Sequence, residues 1–209
     1  MSDPAARSVE IEVTFDADAD AALPDLANLP GVASVSAGEP RSLDARYFDT
    51  SDALLARAGI ALRRRTGGPD AGWHIKGPLI DGARVELHWP LGESETAVPP
   101  AALIELRTLT GTDLPGDALE PLARIRNERV AYLLRDAAGG VVAEFADDRV
   151  DATDERAGVE RSWREWELEL GPAAPADHAA LFAAATEAVH AVGGRPASSA
   201  SKLARTLGA

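Results

Sequence analysis

The stretch "VEIEVTF", residues 9–15, restricts the fold more than any other feature of the chain. Successive side chains of a β-strand alternate between faces. Val9, Ile11, Val13 and Phe15 therefore fall on one side, and Glu10, Glu12 and Thr14 on the other. Two carboxylates then stand in line, about 6.7 Å apart, on a face whose reverse is apolar. The same alternation recurs along the chain. In "IALRRRT" (60–66) Arg63 and Arg65 share a face with Leu62 opposite, and in "GWHIKGP" (72–78) His74 and Lys76 oppose Ile75. In "ARVELHWPL" (83–91) Arg84, Glu86 and His88 oppose Val85, Leu87 and Trp89. In 141–150 Glu144, Ala146 and Asp148 oppose Ala143, Phe145 and Asp147, and in 161–171 Glu165, Glu167 and Glu169 oppose Trp166, Leu168 and Leu170.

One such strand is ordinarily half-buried with a wetted polar face. The set is different because its charges are sorted. Carboxylates gather on 9–15, 141–150 and 161–171, and basic groups on 60–66 and 72–78. Lysine is also nearly absent, so a lysine in a strand centre is not filler. If helices cover the apolar faces from outside, the charged faces line an interior. Aligned carboxylates at close quarters repel and need cations. Aligned guanidiniums need an anion with several oxygens. A divalent metal bound to a polyphosphate satisfies both walls, and hard oxygen ligands favour Mg²⁺ or Mn²⁺.

Turn and cap signals place the remaining elements. Residues 1–7 read as a loose terminus, and Asp18 or Asp20 as the cap of a helix ending at Pro30-Gly31. "ARYFDT" (45–50) reads as a short strand, followed by a helix ending at Gly59. "GGPDAG" joins 60–66 and 72–78 in a hairpin. "VPPAALIELRTLTG" is a helix with proline near its start and Gly111 past its end. "LARIRNERVAYLLRD" fits helix or strand by pattern; the "AAGG" after it favours the first arm of a hairpin with 141–150. "PADHAALFAAATEAVHAVG" is a helix with Phe182, Ala185, Val189 and Val192 on one stripe, and "SSASKLARTLG" a serine-capped short helix. The prediction is an α+β, mainly antiparallel β fold: one domain over 8–207, a closed eight-stranded barrel with helices packed outside.

Composition narrows the partners. The 209 residues are 45% hydrophobic and 26% charged, ordinary for a globular chain. The net charge of −13 opposes nucleic acid and anionic membrane at the outer surface. The absence of cysteine excludes disulfides, thiolate chemistry and cysteine-ligated zinc. The first residues carry no signal-peptide pattern and no segment reaches membrane-span length, so a cytoplasmic location is expected.

Taken in order, these segments resemble the CYTH family, the triphosphate tunnel metalloenzymes. The family's opening E-x-E-x-K strand is matched at Glu10 and Glu12, its "YFDT" segment at Tyr47 to Thr50, and its L-R-x-R strand at Leu62, Arg63 and Arg65. Lys76 matches a "K-G" strand, and "RIRNERVAY" offers Arg126 and Arg129. Asp148 and Val150 match an acidic "D-x-V" strand, Glu165 and Glu167 an E-x-E strand, and Ser201 and Lys202 a late "SK". The wording of several segments is most similar to the branch often fused to CHAD domains. The resemblance implies a tunnel-shaped eight-stranded barrel that hydrolyses inorganic triphosphate or a small organic triphosphate with Mg²⁺ or Mn²⁺. It implies phosphate ligands at Arg63, Arg65, Lys76, Arg126, Arg129 and Lys202. It implies metal ligands at Glu10, Glu12, Asp148, Glu165 and Glu167, with Glu10, Glu12 and Thr14 at the catalytic positions. A monomer or homodimer is expected.

Thr14 is the main departure, because the family has lysine there. Threonine keeps a hydroxyl but no positive charge, so a non-catalytic polyphosphate- or nucleotide-binding module is the second reading, and a class IV type adenylyl cyclase the third. Arg64 falls on the outer face, and the orientation of Arg124 depends on its strand's register. The tryptophans fit packing between barrel and helices better than base stacking.

Overall fold

The alternation is realised in long antiparallel strands. The computed structural model describes residues 5–92, 94 and 96–209. β1 (Ala6–Glu10) and β2 (Glu12–Ala17) are followed by the short β3 (Ser34–Val35) and by β4 (Glu39–Asp49). After the single-turn α1 (Leu54–Arg57) come β5 (Ala61–Thr66), β6 (Gly72–Ile80), β7 (Ala83–Pro90) and α2 (Pro100–Thr110). Next are β8 (Glu120–Arg135), β9 (Val141–Asp154) and β10 (Val159–Leu170). The chain ends with α3 (Ala179–Ala191), the short β11 (Arg195–Pro196) and α4 (Lys202–Leu207). None of the helices among the described residues is long and apolar enough to cross a membrane.

The strands follow one path, β1-β7-β6-β5-β4-β8-β9-β10-β2, all neighbours antiparallel. Only Ile11 separates β1 from β2, and its carbonyl accepts from Leu170 N–H at 3.0 Å. The segment 6–17 thus pairs with β7 by its first half and with β10 by its second. The path returns to the stretch of chain where it began, and with that stretch counted once it holds eight long strands. Such a return leaves few unpaired edges.

Three segments differ from what the sequence predicts. Ala6 and Arg7 are already paired in β1, with Met1 to Pro4 of the expected loose terminus outside the described residues. Residues 18–33 form turns instead of a helix: Pro24 removes a donor, and the Asp25 carboxylate accepts from Ala27 N–H at 3.0 Å and Asn28 Nδ2 at 2.8 Å. Leu26 and Leu29 still pin this segment by burial. The strand expected at 45–50 extends back to Glu39. The segment 120–135, expected as the first arm of a hairpin, is a sixteen-residue strand paired with β9.

Most of the apolar side chains pack outside the sheet. Phe15, Phe145, Trp166 and Leu168 meet Leu181, Ala185 and Val189 of α3, so Leu181 joins the expected helix stripe. Phe48, Leu62, Trp73, Ile75 and Trp89 meet Ala102 and Leu106 of α2. Each such side chain contributes roughly 1.5–3 kcal/mol by leaving water. A third cluster breaks the expectation of helices outside only. Ala45, Tyr47, Ile125, Val150 and Ala152 share the faces that carry the charged rows, and Leu203 and Leu207 of α4 pack on them. One end of the interior is therefore filled with apolar groups.

Candidate functional site

The strand registers decide which side chains meet inside. Arg129 stands opposite Asp148 and Arg41, Asp148 opposite Glu165, and Glu167 opposite Thr14. Arg63 stands opposite Tyr47 and His74, and Lys76 opposite Glu86. Together these rows enclose a cavity of about 590 Å³, within the usual size of a small-molecule site. Glu10, Glu12, Thr14, Arg63, Arg65, Lys76, Arg129, Glu165, Glu167 and Lys202 all line it, with Asp148 fully buried behind them.

Arg126 does not belong to this group. It lies three residues from Arg129, and an odd separation puts two strand residues on opposite faces. Arg126 is exposed beside Asp44, whose carboxylate takes Arg124 at 3.0 Å. Its expected place on the inner wall is taken by Arg41, which donates to Glu144 Oε1 and Oε2 at 3.0 and 3.1 Å.

One wall is acidic. Ligand oxygens of Asp148, Glu165 and Glu167 come within 4.8 Å of one another. Arg129 donates to Asp148 through Nε at 2.7 Å and Nη2 at 2.6 Å, and it also contacts Glu167. Trp163 Nε1 donates to Glu165. Burial pushes the Glu165 carboxyl above the usual carboxylate range against the pull of Lys202. Burial acts on Glu167 too, but the nearby charges of Lys202 and Arg129 outweigh it and hold that carboxyl well down. Glu10 and Glu12 are set apart from this trio. Lys76 Nζ binds Glu10 Oε2 at 2.7 Å, while Glu12 is exposed at the cavity margin opposite Glu169. Burial, with Glu86 alongside, pushes Glu10 up to about 8.

The facing wall is basic and short of acceptors. Among the described residues Arg63 reaches only Tyr47 Oη and Glu86 Oε1, both at 3.4 Å. The Nε atoms of Arg63 and Arg65 are buried without a hydrogen-bond partner among the described residues. Arg65 pairs with Asp70, yet burial and the Arg63 charge push its guanidinium down to about 9. Buried donors of this kind are costly to leave idle, and aligned guanidiniums suit a multi-oxygen anion. Glu86 is held in place by His74, whose Nδ1 lies 2.9 Å away and whose Nε2 donates to Asp70 O at 3.0 Å. Burial lowers His74 to about 4.

The "YFDT" residues divide their tasks along the strand. Tyr47 faces the cavity, and Phe48 packs beneath α2. Buried Asp49 accepts from the backbone N–H groups of Thr50, Leu55 and Ala56 at 2.7–3.0 Å, which secures α1.

The three carboxylates fit a small divalent cation. Their donors are all hard oxygens, and Glu165 Oε1 is buried without a directed hydrogen bond among the described residues.

Comparison with known proteins extends this picture. A family model described as the CYTH domain matches residues 8–207. Two uncharacterised proteins of Mycobacterium tuberculosis, from strains CDC 1551 / Oshkosh and ATCC 25618 / H37Rv, are 40% identical over 215 residues. Those alignments cover 98% of this chain but 41% of each relative, so the chain spans about two fifths of the length of the curated relatives it matches. A Bacillus halodurans structure, provisionally assigned as an adenylate cyclase, shares the fold with a TM-score of 0.65 at 18% identity, covering 95% of this chain and 97% of that one. A Hippeastrum structure, provisionally an adenylyl cyclase and described as having a dominant triphosphatase activity, gives 0.58 at 16% identity, covering 95% of each chain.

Proposed function

The chain belongs to the CYTH domain family, and on that footing we propose that it is a divalent-metal-dependent triphosphatase acting on inorganic triphosphate or a small organic triphosphate. One observation carries the reading. Glu165 and Glu167, backed by buried Asp148, and a pair of arginines with idle donors face the same cavity. Neither wall is neutral alone, and a metal–triphosphate complex supplies the missing charge of both.

In this reading Asp148, Glu165 and Glu167 hold Mg²⁺ or Mn²⁺, with Glu10, and Glu12 at the cavity margin, available for a second ion. When bound, the ion offsets phosphate charge and polarises the phosphoryl group. Arg63 and Arg65 bind phosphate oxygens through the buried Nε donors that lack partners among the described residues. Lys76 and Arg129 add charge from the two sides of the cavity, and Tyr47 and Glu86 fix the direction of Arg63. Phosphoryl transfer asks chiefly for this positioning and neutralisation. Glu169, pushed up to about 7 by burial and by Glu12, is a carboxyl able to take a proton from water near neutral pH.

The test is phosphate release from inorganic triphosphate and ATP with each metal, with cyclic AMP followed in parallel. Release that falls at least about 100-fold in Glu165→Gln and in Arg63→Ala supports the reading, a loss in the range of one removed transition-state contact. Unchanged release in both variants overturns the site. Thr14 favours one other reading, a binding module. Tight triphosphate binding with no release in the wild type would establish it, and cyclic AMP formation would replace both by a cyclase of the kind to which both solved neighbours are provisionally assigned.

A further inference from the structure

Lys202 is the first residue of α4 and reaches from the plugged end into the acidic wall. Its ammonium lies 2.9 Å from Asp148 Oδ2 and also contacts Glu165 Oε1 and Glu167 Oε1. These are the three carboxylates whose oxygens converge within 4.8 Å. A cation of the protein's own thus stands among the groups suited to a metal. It matches them incompletely, since Glu165 Oε1 receives charge but no directed hydrogen bond while Glu165 is only 4% exposed.

Lys202 can leave without α4 leaving. Ser201 Oγ caps Ala204 N–H at 3.1 Å, Arg161 donates to Thr206 O at 2.6 Å, and Leu203 and Leu207 stay packed in the third cluster. Arg205 binds Asp16 and lies 4.8 Å over the Trp163 ring. Arg129, the other cation on the trio, is fixed by a two-point fork on Asp148. A lysine is a point charge on a flexible stem and gives way more easily than such a fork.

Resting on the metal–triphosphate reading above, we infer that Lys202 is a resident counter-cation of the Asp148–Glu165–Glu167 group. A divalent ion must displace it, and the released ammonium then becomes a phosphate ligand. Metal and ammonium cannot share one set of carboxylates, because like charges at that separation repel strongly in a buried site. Metal binding therefore turns the cavity from self-neutralised to anion-seeking. By linkage triphosphate favours the metal as much as the metal favours triphosphate.

The chain has two lysines, Lys76 and Lys202, which makes the inference directly measurable. Mn²⁺ affinity is measured on the full chain without phosphate for wild type, Lys202→Met and Lys76→Met. Lys202→Met is expected to bind Mn²⁺ about 5- to 150-fold more tightly, the range of coupled sites. Lys76→Met removes the same charge from Glu10 and is expected to have a much smaller effect. In the wild type, the two side-chain ¹⁵Nζ resonances are followed during Mg²⁺ titration, which needs no variant to fold. Over the first equivalent of Mg²⁺ the Lys202 signal should move and the Lys76 signal, held on Glu10 and not on the trio, should not. An unmoved Lys202 signal with Mg²⁺ bound, or an equal gain in both variants, overturns the displacement while leaving the metal site intact. Absence of Mn²⁺ binding in all three proteins overturns the metal reading itself.

Discussion

At the residue scale, Glu169 shows burial outweighing the pull of a nearby cation, Lys76. Glu169 faces Glu12 across β10 and β2, and burial with that neighbouring charge moves it from 4.5 to about 7. A carboxyl whose pKa is raised on folding binds more protons in the native state. Its stabilisation is complete below about pH 4.5 and is lost as pH rises through about 7. Glu169→Gln should therefore lose less stability than wild type between pH 5 and pH 8 in urea unfolding, by at most about 3 kcal/mol. Equal losses would show that Glu169 is ionised throughout. Thr14, opposite Glu167, gives a second prediction. Thr14→Lys restores the cation that the family pattern carries and should raise the rate of phosphate release; no change in an active protein would remove that position from the chemistry. Arg126 and Arg129 give a third. Arg126→Ala should leave release within about twofold of wild type, whereas Arg129→Ala, which removes the fork on Asp148 and the contact to Glu167, should lower it by about 100-fold or more.

At the element scale, the single turn α1 depends on one buried side chain. Asp49 is 1% exposed and accepts three backbone N–H groups. Asp49→Ala should cost about 1–3 kcal/mol for each donor left dry, read from the urea midpoint. A cost under 0.5 kcal/mol, typical of a surface change, would mean that water replaces the carboxylate. The elements also show what can be read from residues alone. Alternation placed β5, β6, β7, β9 and β10 and set Arg63, Arg65, Lys76, Glu165 and Glu167 on inward faces, because a period of two fixes orientation without tertiary knowledge. It failed where the signal is weak. Glu39 and Pro40 hid the first half of β4, so Arg41 was missed, although its parity with Tyr47 would have marked it. Asp18 and Asp20 imitate a helix start, but Pro24 and the Asp25 turn prevail. The gathering of Asp148, Glu165, Glu167 and Lys202 joins three elements and could not be read from spacing within any one of them.

At the scale of the whole molecule, the exterior and interior oppose one another. The chain carries −13 overall, yet its cavity holds arginines short of acceptors. A triphosphate approaching from solvent meets repulsion before attraction. Exposed charges are screened by salt far more than buried ones. The association rate of triphosphate should therefore rise with ionic strength between about 10 and 150 mM, the reverse of an attractive outer surface. Stopped-flow recording of tryptophan emission would follow it through Trp163, which touches Glu165. A falling rate would place attractive charge at the entrance.

The shared seam at residues 6–17 has a consequence for how such a chain comes into being. Its first half waits for β7, and its second half for β10, which ends at Leu170. During vectorial synthesis this stretch emerges ahead of every partner it has. Until β10 follows, some 150 residues later, its second half carries Glu12, Val13 and Phe15 with no strand to pair them. The earliest long strand to be made is among the last to be fully paired, so the cavity is enclosed only once translation has passed β10.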